Sequence, residues 1–167
     1  MIKLALRYGA FAILITIISF TVLFYTDQKP FINFNTIFID GLSFLVLIGV
    51  ATYEFRKYRQ GGELRFWQGM SMGMIIYVMA AIGFSAFLYL FMAYIEPEAL
   101  MNYKKESIDF YNRTAEMYPD KYSPERRETD LANIKEVSIS GIVFKEGIKK
   151  LLLGLLVTPI IAIFMRK

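Results

Sequence analysis

Few residues in this chain have side chains able to do chemistry where chemistry would matter. Asp40 lies inside an apolar run, and Glu54 and Gln68 lie at the borders of two others. An acid at the centre of a membrane helix costs about 2.5–3.5 kcal/mol, and ionisable residues within spans are functional suspects. Asp40 falls about one turn into its run, which favours an interfacial, structural position; a proton- or ligand-binding role is the alternative. Glu54 stands beside Arg56 and Lys57 and is expected to form a solvated pair with them. Gln68, next to Gly69, is expected to bond a neighbouring helix.

Other chemistries lack their parts. The chain has no histidine and no cysteine, which removes the commonest general base, thiol redox chemistry and thiolate metal sites. Ser71, Ser85, Ser138 and Ser140 therefore have no histidine to activate them. Glu96, Glu98 and Glu106 lack the spacing of a calcium loop, so no metal site is expected. Gly61-Gly62 is not followed by the Lys-Ser/Thr of a phosphate loop. Asp40 and Glu54 fall near opposite membrane faces, too far apart for an acid–base pair, which needs a separation below about 10 Å. The reading at this point is no catalytic residues, no cofactor and no enzyme.

The elements around these residues explain the composition. The chain of 167 residues is 56% hydrophobic, above the roughly 45–50% of soluble domains. The excess sits in runs long enough to cross a bilayer, which takes about 20 apolar residues. Spans are predicted over 8–26, 36–55, 66–95 and 139–165 in one membrane domain. The first run is followed by Tyr25-Thr26-Asp27, not by small residues suited to signal peptidase, so it is expected to stay as a span. The stretch 27–35, with Lys29-Pro30, reads as a short outer loop.

Charge sets the orientation. Residues 96–150 carry ten basic and eleven acidic residues, so the net +4 resides elsewhere, at the termini and in the hairpin from Arg56 to Arg65. That is the positive-inside pattern, and it places both termini in the cytoplasm. The dispersal of the basic residues argues against nucleic-acid binding. Arg56, Lys57, Arg59 and Arg65, with Trp67 at the belt, are candidates for contact with anionic lipid or a partner. Gly69, Gly73 and Gly83 are predicted packing positions, the first two forming a GxxxG pattern expected to pack within the chain, with a dimer seam as the alternative.

Between the third and fourth spans, 97–138 is soluble in character. The apolar spacing predicts a helix over 98–118 and a second over 124–137, the latter capped by Ser123-Pro124-Glu125. Together they form an extracytoplasmic helical hairpin that lies on the membrane, caps the bundle or binds a partner. The last span opens with Lys145, Glu146, Lys149 and Lys150. The lysines are expected to snorkel to the interface, with Glu146 and Lys150 paired across one turn. Pro159 should free a backbone carbonyl, with Thr158 available to bond it.

The middle of the chain carries a recognisable pattern: Tyr58-Arg59, Gly61-Gly62, Leu64, Phe66, Gln68-Gly69, then a small-residue span closing at Tyr94 and Pro97. In these positions the chain resembles the bacterial four-span membrane family known as domain of unknown function 4199. The resemblance runs over nearly the whole chain. It implies a bacterial inner-membrane address and service to cell-envelope enzymes such as membrane glycosyltransferases, and it carries over no catalytic residue. The expected architecture is all-α, an integral membrane four-helix bundle. The expected role is a non-enzymatic scaffold or accessory subunit, in contact with membrane lipids and with a membrane protein partner or further copies of itself. The alternative is a small oligomeric transporter or channel built around polar positions such as Asp40.

Overall fold

The computed structural model describes residues 1–26, 31, 34–59 and 61–166, without the side chains of 34, 35 and 59. The predicted loop at 27–30 and 32–33, Gln60 and Lys167 lie outside the described residues. Among the described residues every regular element is a helix: α1 Ile2–Tyr25, α2 Phe34–Arg59, α3 Phe66–Leu90, α4 Ala99–Met117, α5 Pro124–Glu136 and α6 Ile139–Met165. Four of them, α1, α2, α3 continued to Ile95, and α6, are long and apolar enough to cross a bilayer. The chain is a multi-pass membrane protein.

Around the bundle the order is α1, α3, α6, α2, and α3 also reaches α2 across the middle. The pairing of residues sets the directions. Gly9 faces Met79 and Gly83 faces Ile13, so α1 and α3 run parallel. Gly69 meets Ala162 while Gly154 meets Tyr77, so α3 and α6 run antiparallel. Asp40 meets Lys150, and Gly41 meets Leu153, so α2 and α6 run parallel.

The α3–α6 contact is a seam of small residues set against larger ones. A Cβ on Gly69 would stand 3.1 Å from the Ala162 Cβ, and one on Gly73 would stand 2.6 Å from Thr158 Oγ1. Further along, Gly154 receives the Tyr77 ring, with Cδ1 2.7 Å from such a Cβ, and Gly147 receives Ser85 Oγ at the same distance. In lipid, where no hydrophobic force drives helices together, such close approach supplies the packing energy. The hydroxyls within the spans satisfy themselves locally. Thr16, Ser43, Thr52 and Thr158 each donate to a carbonyl three or four residues earlier. Thr158 takes its own Gly154 carbonyl at 2.7 Å, not the Leu155 carbonyl that Pro159 would leave free.

The core differs between the two ends. The half near the Gly61–Gly62 hairpin is filled by Phe44, Ile48, Ala51, Phe55, Met72, Ile76 and Ala80. The half near the insert is aromatic: Phe20 stands edge-on to Phe31, Phe84 and Phe91 at ring separations of 5.4, 5.4 and 5.6 Å. Beyond Leu90 the third span winds into a π turn over Phe91–Ile95, closed by Glu96 N–H donating to the Phe91 carbonyl at 2.7 Å. Phe91 and Met92 of that turn are buried, so the wider turn keeps both in the aromatic cluster. The sequence pattern contains no sign of it.

The insert folds as two helices joined by a turn at Pro119–Lys121. Ser123 caps α5 by accepting the Arg126 N–H, and Ser138 caps α6 by accepting the Gly141 N–H. The two insert helices are tied by Tyr111 donating to Asp130 at 3.0 Å, Arg127 donating to the Ala115 carbonyl at 3.0 Å and Lys104 donating to the Lys135 carbonyl at 2.7 Å. Burial and the neighbouring Asp130 hold the Tyr111 phenol above its ordinary pKa. Tyr103 of α4 joins the bundle's aromatic cluster through Phe31, at a ring separation of 5.2 Å.

The seam is directly testable. Gly73→Val would drive a branched side chain into buried Thr158 and should cost about 1–3 kcal/mol, the usual penalty of overpacking. Gly49 has no atom within 4 Å of a Cβ position, so Gly49→Val is the matched control. Thermal unfolding in one detergent should separate the two; equal melting temperatures would rule out the seam.

Candidate functional site

The charged residue in the second span has a partner in the fourth. Lys150 Nζ donates to Asp40 Oδ2 in a salt bridge, and both residues are buried, 5% and 3% exposed. The backbone explains the meeting. Asp40 is about 9 Å along α2 from Phe34 and Lys150 about 16 Å along α6 from Ile139. Side chains on a helix lean towards its N-terminus, so Lys150 reaches back towards the level of Asp40. The ammonium also stands 3.9 Å from the centre of the Phe84 ring, whose face attracts cations. Asp40 is therefore enclosed between helices.

One turn nearer the insert, Lys149 donates to Glu146 Oε1 at 2.6 Å and to the Phe31 carbonyl at 3.4 Å. The expected pairing of Glu146 with Lys150 across four residues is replaced by Glu146 with Lys149 across three. Lys150 does not snorkel, because Asp40 compensates its charge inside the bundle. Lys145 reaches Tyr103 Oη at 3.3 Å and so ties the insert to the last span.

Beside these charges a cavity of about 270 Å³ opens at the side of the bundle between α2 and α6. Thr36, Asp40, Glu146, Lys149 and Lys150 line it on the polar side. Ile37, Leu152 and Leu156, all exposed, line it on the apolar side. Among the described residues there is no group of three or more His, Cys, Asp or Glu side chains that could hold a metal ion.

At the hairpin end the charges are arranged differently from the expectation. Glu54 accepts from Arg7 and from Tyr8 Oη, both at 2.7 Å, so its partners come from α1 and not from Arg56 or Lys57. Arg56 turns inward: Nε donates to the Gly62 carbonyl at 2.7 Å and Nη1 to the Met165 carbonyl at 3.5 Å. It thereby covers a free carbonyl at the end of α6. Gly62 N–H returns to the Arg56 carbonyl at 3.1 Å, with Gly61 and Gly62 at φ of 63° and 101°, a region L-residues avoid. Gln68 bonds no neighbouring helix; its Oε1 accepts the Arg65 N–H at 3.0 Å and caps the start of α3.

The remaining hairpin candidates face outward. Lys57 stands over the Tyr53 and Tyr58 rings at 5.8 and 5.3 Å. Arg65 and Trp67 are exposed and border an open cleft with Glu63, Leu64, Phe66 and Arg166. The side chain of Arg59 lies outside the described residues. Gly83 packs on Ile13 of α1, with Cδ1 2.7 Å from a Cβ position, and does not join Gly69 and Gly73 in the α6 seam.

Sequence reasoning did not bring Lys150, Lys149 and Glu146 to Asp40. The signal was present: an acid, Asp40, inside the second run and three lysines, Lys145, Lys149 and Lys150, in the first turns of the fourth, opposite in sign. Charges so placed in two spans solve each other's desolvation only by meeting. The partnership of Arg7 with Glu54 had the same signature at the other end.

No curated protein and no solved structure matches the chain. Residues 7–167 match the family described as protein of unknown function (DUF4199). The match takes in all four spans, the hairpin, the insert and the charged pair, and the chain belongs to that family.

Proposed function

We propose that the protein is a non-enzymatic subunit of a bacterial inner-membrane assembly, acting as a scaffold or accessory to cell-envelope enzymes such as membrane glycosyltransferases. The observation that supports this most is the closely packed, mostly apolar interior between the Asp40–Lys150 pair and the hairpin end. Phe44, Ile48, Ala51, Met72, Ile76 and Ala80 are each 0% exposed, and the buried charges neutralise each other. A transport path needs wet or exchangeable polar groups through the whole span, whereas the buried Thr52 and Thr158 of that half are bonded to carbonyls of their own helices. The exposed surfaces that remain for partners are the hairpin, with Lys57, Arg65 and Trp67, and the charged insert. Transport by an oligomer, with Asp40 and Lys150 lining a path between copies, is the competing reading, favoured by their burial within spans.

Gently solubilised, affinity-tagged full-length protein should carry a companion at fixed stoichiometry. Arg65→Ala combined with Trp67→Ala should release it while leaving the melting temperature within about 2 °C, as for surface changes. A lone species in every detergent, or flux in liposomes that disappears in Asp40→Asn, would reject the accessory role.

The proposed orientation puts both termini and the hairpin in the cytoplasm and the insert outside. It is supported by the basic residues Lys3, Arg7, Arg56, Lys57, Arg65 and Arg166 at one end of the bundle, and by an acidic excess of three over residues 96–138. The chain has no native cysteine, so single exposed positions can be labelled cleanly. Lys121→Cys should react with an impermeant maleimide in intact cells, and Glu63→Cys only after permeabilisation. The reverse pattern would invert the topology.

A further inference from the structure

The cavity between α2 and α6 has features that a purely structural ion pair does not require. It opens sideways, between helices that face lipid, and its rim is made of the exposed apolar side chains Ile37, Leu152 and Leu156. Its polar end is level with the loop between the first two spans, because Lys149 Nζ reaches the Phe31 carbonyl. That level is where headgroups meet acyl chains. The cavity therefore runs from a charged end at the headgroup layer to an apolar end against the acyl region.

Its charge is also informative. Two ammonium groups, Lys149 and Lys150, and two carboxylates, Asp40 and Glu146, face one space, so the site is neutral but strongly bipolar. An anionic headgroup would find carboxylates opposing it, and a cationic amphiphile would find lysines. A headgroup with one phosphate and one primary ammonium finds a complement for each. Lys149 is about a third exposed and Glu146 a tenth, so these two meet an incoming group first. The Asp40–Lys150 pair lies behind them and fixes the floor.

We propose that this cavity binds the headgroup of a zwitterionic amino-phospholipid of the phosphatidylethanolamine class. The phosphate accepts from Lys149, the ammonium donates to Glu146, and the acyl chains lie over Ile37, Leu152 and Leu156. Binding exchanges the direct Lys149–Glu146 contact for two charge-assisted hydrogen bonds to the lipid. A volume of about 270 Å³ suits a headgroup whose tails remain in the bilayer. It is small for an enclosed drug-sized ligand, whose pockets span roughly 300–1,000 Å³. A trimethylated choline headgroup carries the same net charge but has no N–H to give Glu146, so it should bind more weakly. A glycerol headgroup lacks the cation altogether. This inference goes beyond the accessory role and does not depend on it.

Native mass spectrometry of the full chain, released from detergent after equilibration with equimolar phosphatidylethanolamine, phosphatidylcholine and phosphatidylglycerol, is the test. Phosphatidylethanolamine should be retained about tenfold over the other two, the worth of one charge-assisted hydrogen bond. Glu146→Met should remove that preference, Lys149→Gln should weaken retention of all three lipids alike, and Lys145→Gln, outside the cavity, should leave it unchanged. Soluble phosphoethanolamine, lacking tails, should not be retained. Equal retention of the three lipids by the unaltered protein would overturn the proposal whatever the variants do. Retention of soluble phosphoethanolamine as strong as that of the lipid would overturn it too, since the site would then read a free headgroup. So would an unchanged preference in Glu146→Met.

Discussion

A charge buried among membrane helices has to find its opposite, and in this protein the opposite is on another span. Either Asp40 or Lys150 alone would face a cost of about 2.5–3.5 kcal/mol at mid-helix. Together, and with the Phe84 ring against the ammonium, they compensate each other. That contact requires α2 and α6 to lie side by side, parallel, with one register between them. Once this is set, α3 can reach α6 only along the face carrying Gly69, Gly73 and Tyr77, and α1 closes the ring against α3 and α2. The pair contributes little net energy compared with an apolar replacement of similar shape. Its main effect is on which arrangement of four similar helices is adopted, since an arrangement that separates the two charges leaves both uncompensated.

The two ends of the bundle are closed by different means. At the hairpin end Arg56 binds the Gly62 and Met165 carbonyls, and Glu54 holds Arg7 and Tyr8. There α1 is joined to α2 through Glu54 and α2 to α6 through Arg56, with exposed Trp67 at the rim. At the insert end the closure is aromatic, from Phe20 outward through Phe31 to Tyr103. Lys145 joins the insert to α6 through the Tyr103 hydroxyl. Between the ends, the side opening is lined by the charged residues Asp40, Glu146, Lys149 and Lys150.

Much of this architecture is written locally and was legible. The four spans follow from run length. The hairpin follows from Gly61-Gly62, whose positive φ angles only glycine adopts freely. The insert helices follow from Ser123 and the apolar spacing, and the start of α6 at Ile139 from the need for length. What escaped was tertiary. The enclosure of Asp40 is not legible from its depth along α2, because it depends on Lys150 of α6. Arg56 looked like a lipid contact because the end of α6 is 109 residues away in sequence. Gly147 and Gly154 were not singled out, since each becomes a packing position only when Ser85 or Tyr77 stands opposite. The π turn at Phe91 answers to the fit of one ring into a cluster assembled from three spans, which no local pattern encodes.

The most direct measurement of the central claim is the coupling between Asp40 and Lys150. Unfolding in bicelles should be followed for Asp40→Asn, Lys150→Met and the two combined. Each single change leaves a buried charge without its partner and should cost about 3–5 kcal/mol, while the combined change should cost clearly less than the two added together. Single changes that cost under about 0.5 kcal/mol, the range of an ordinary surface substitution, would show that the pair does not organise the bundle, as would strict additivity.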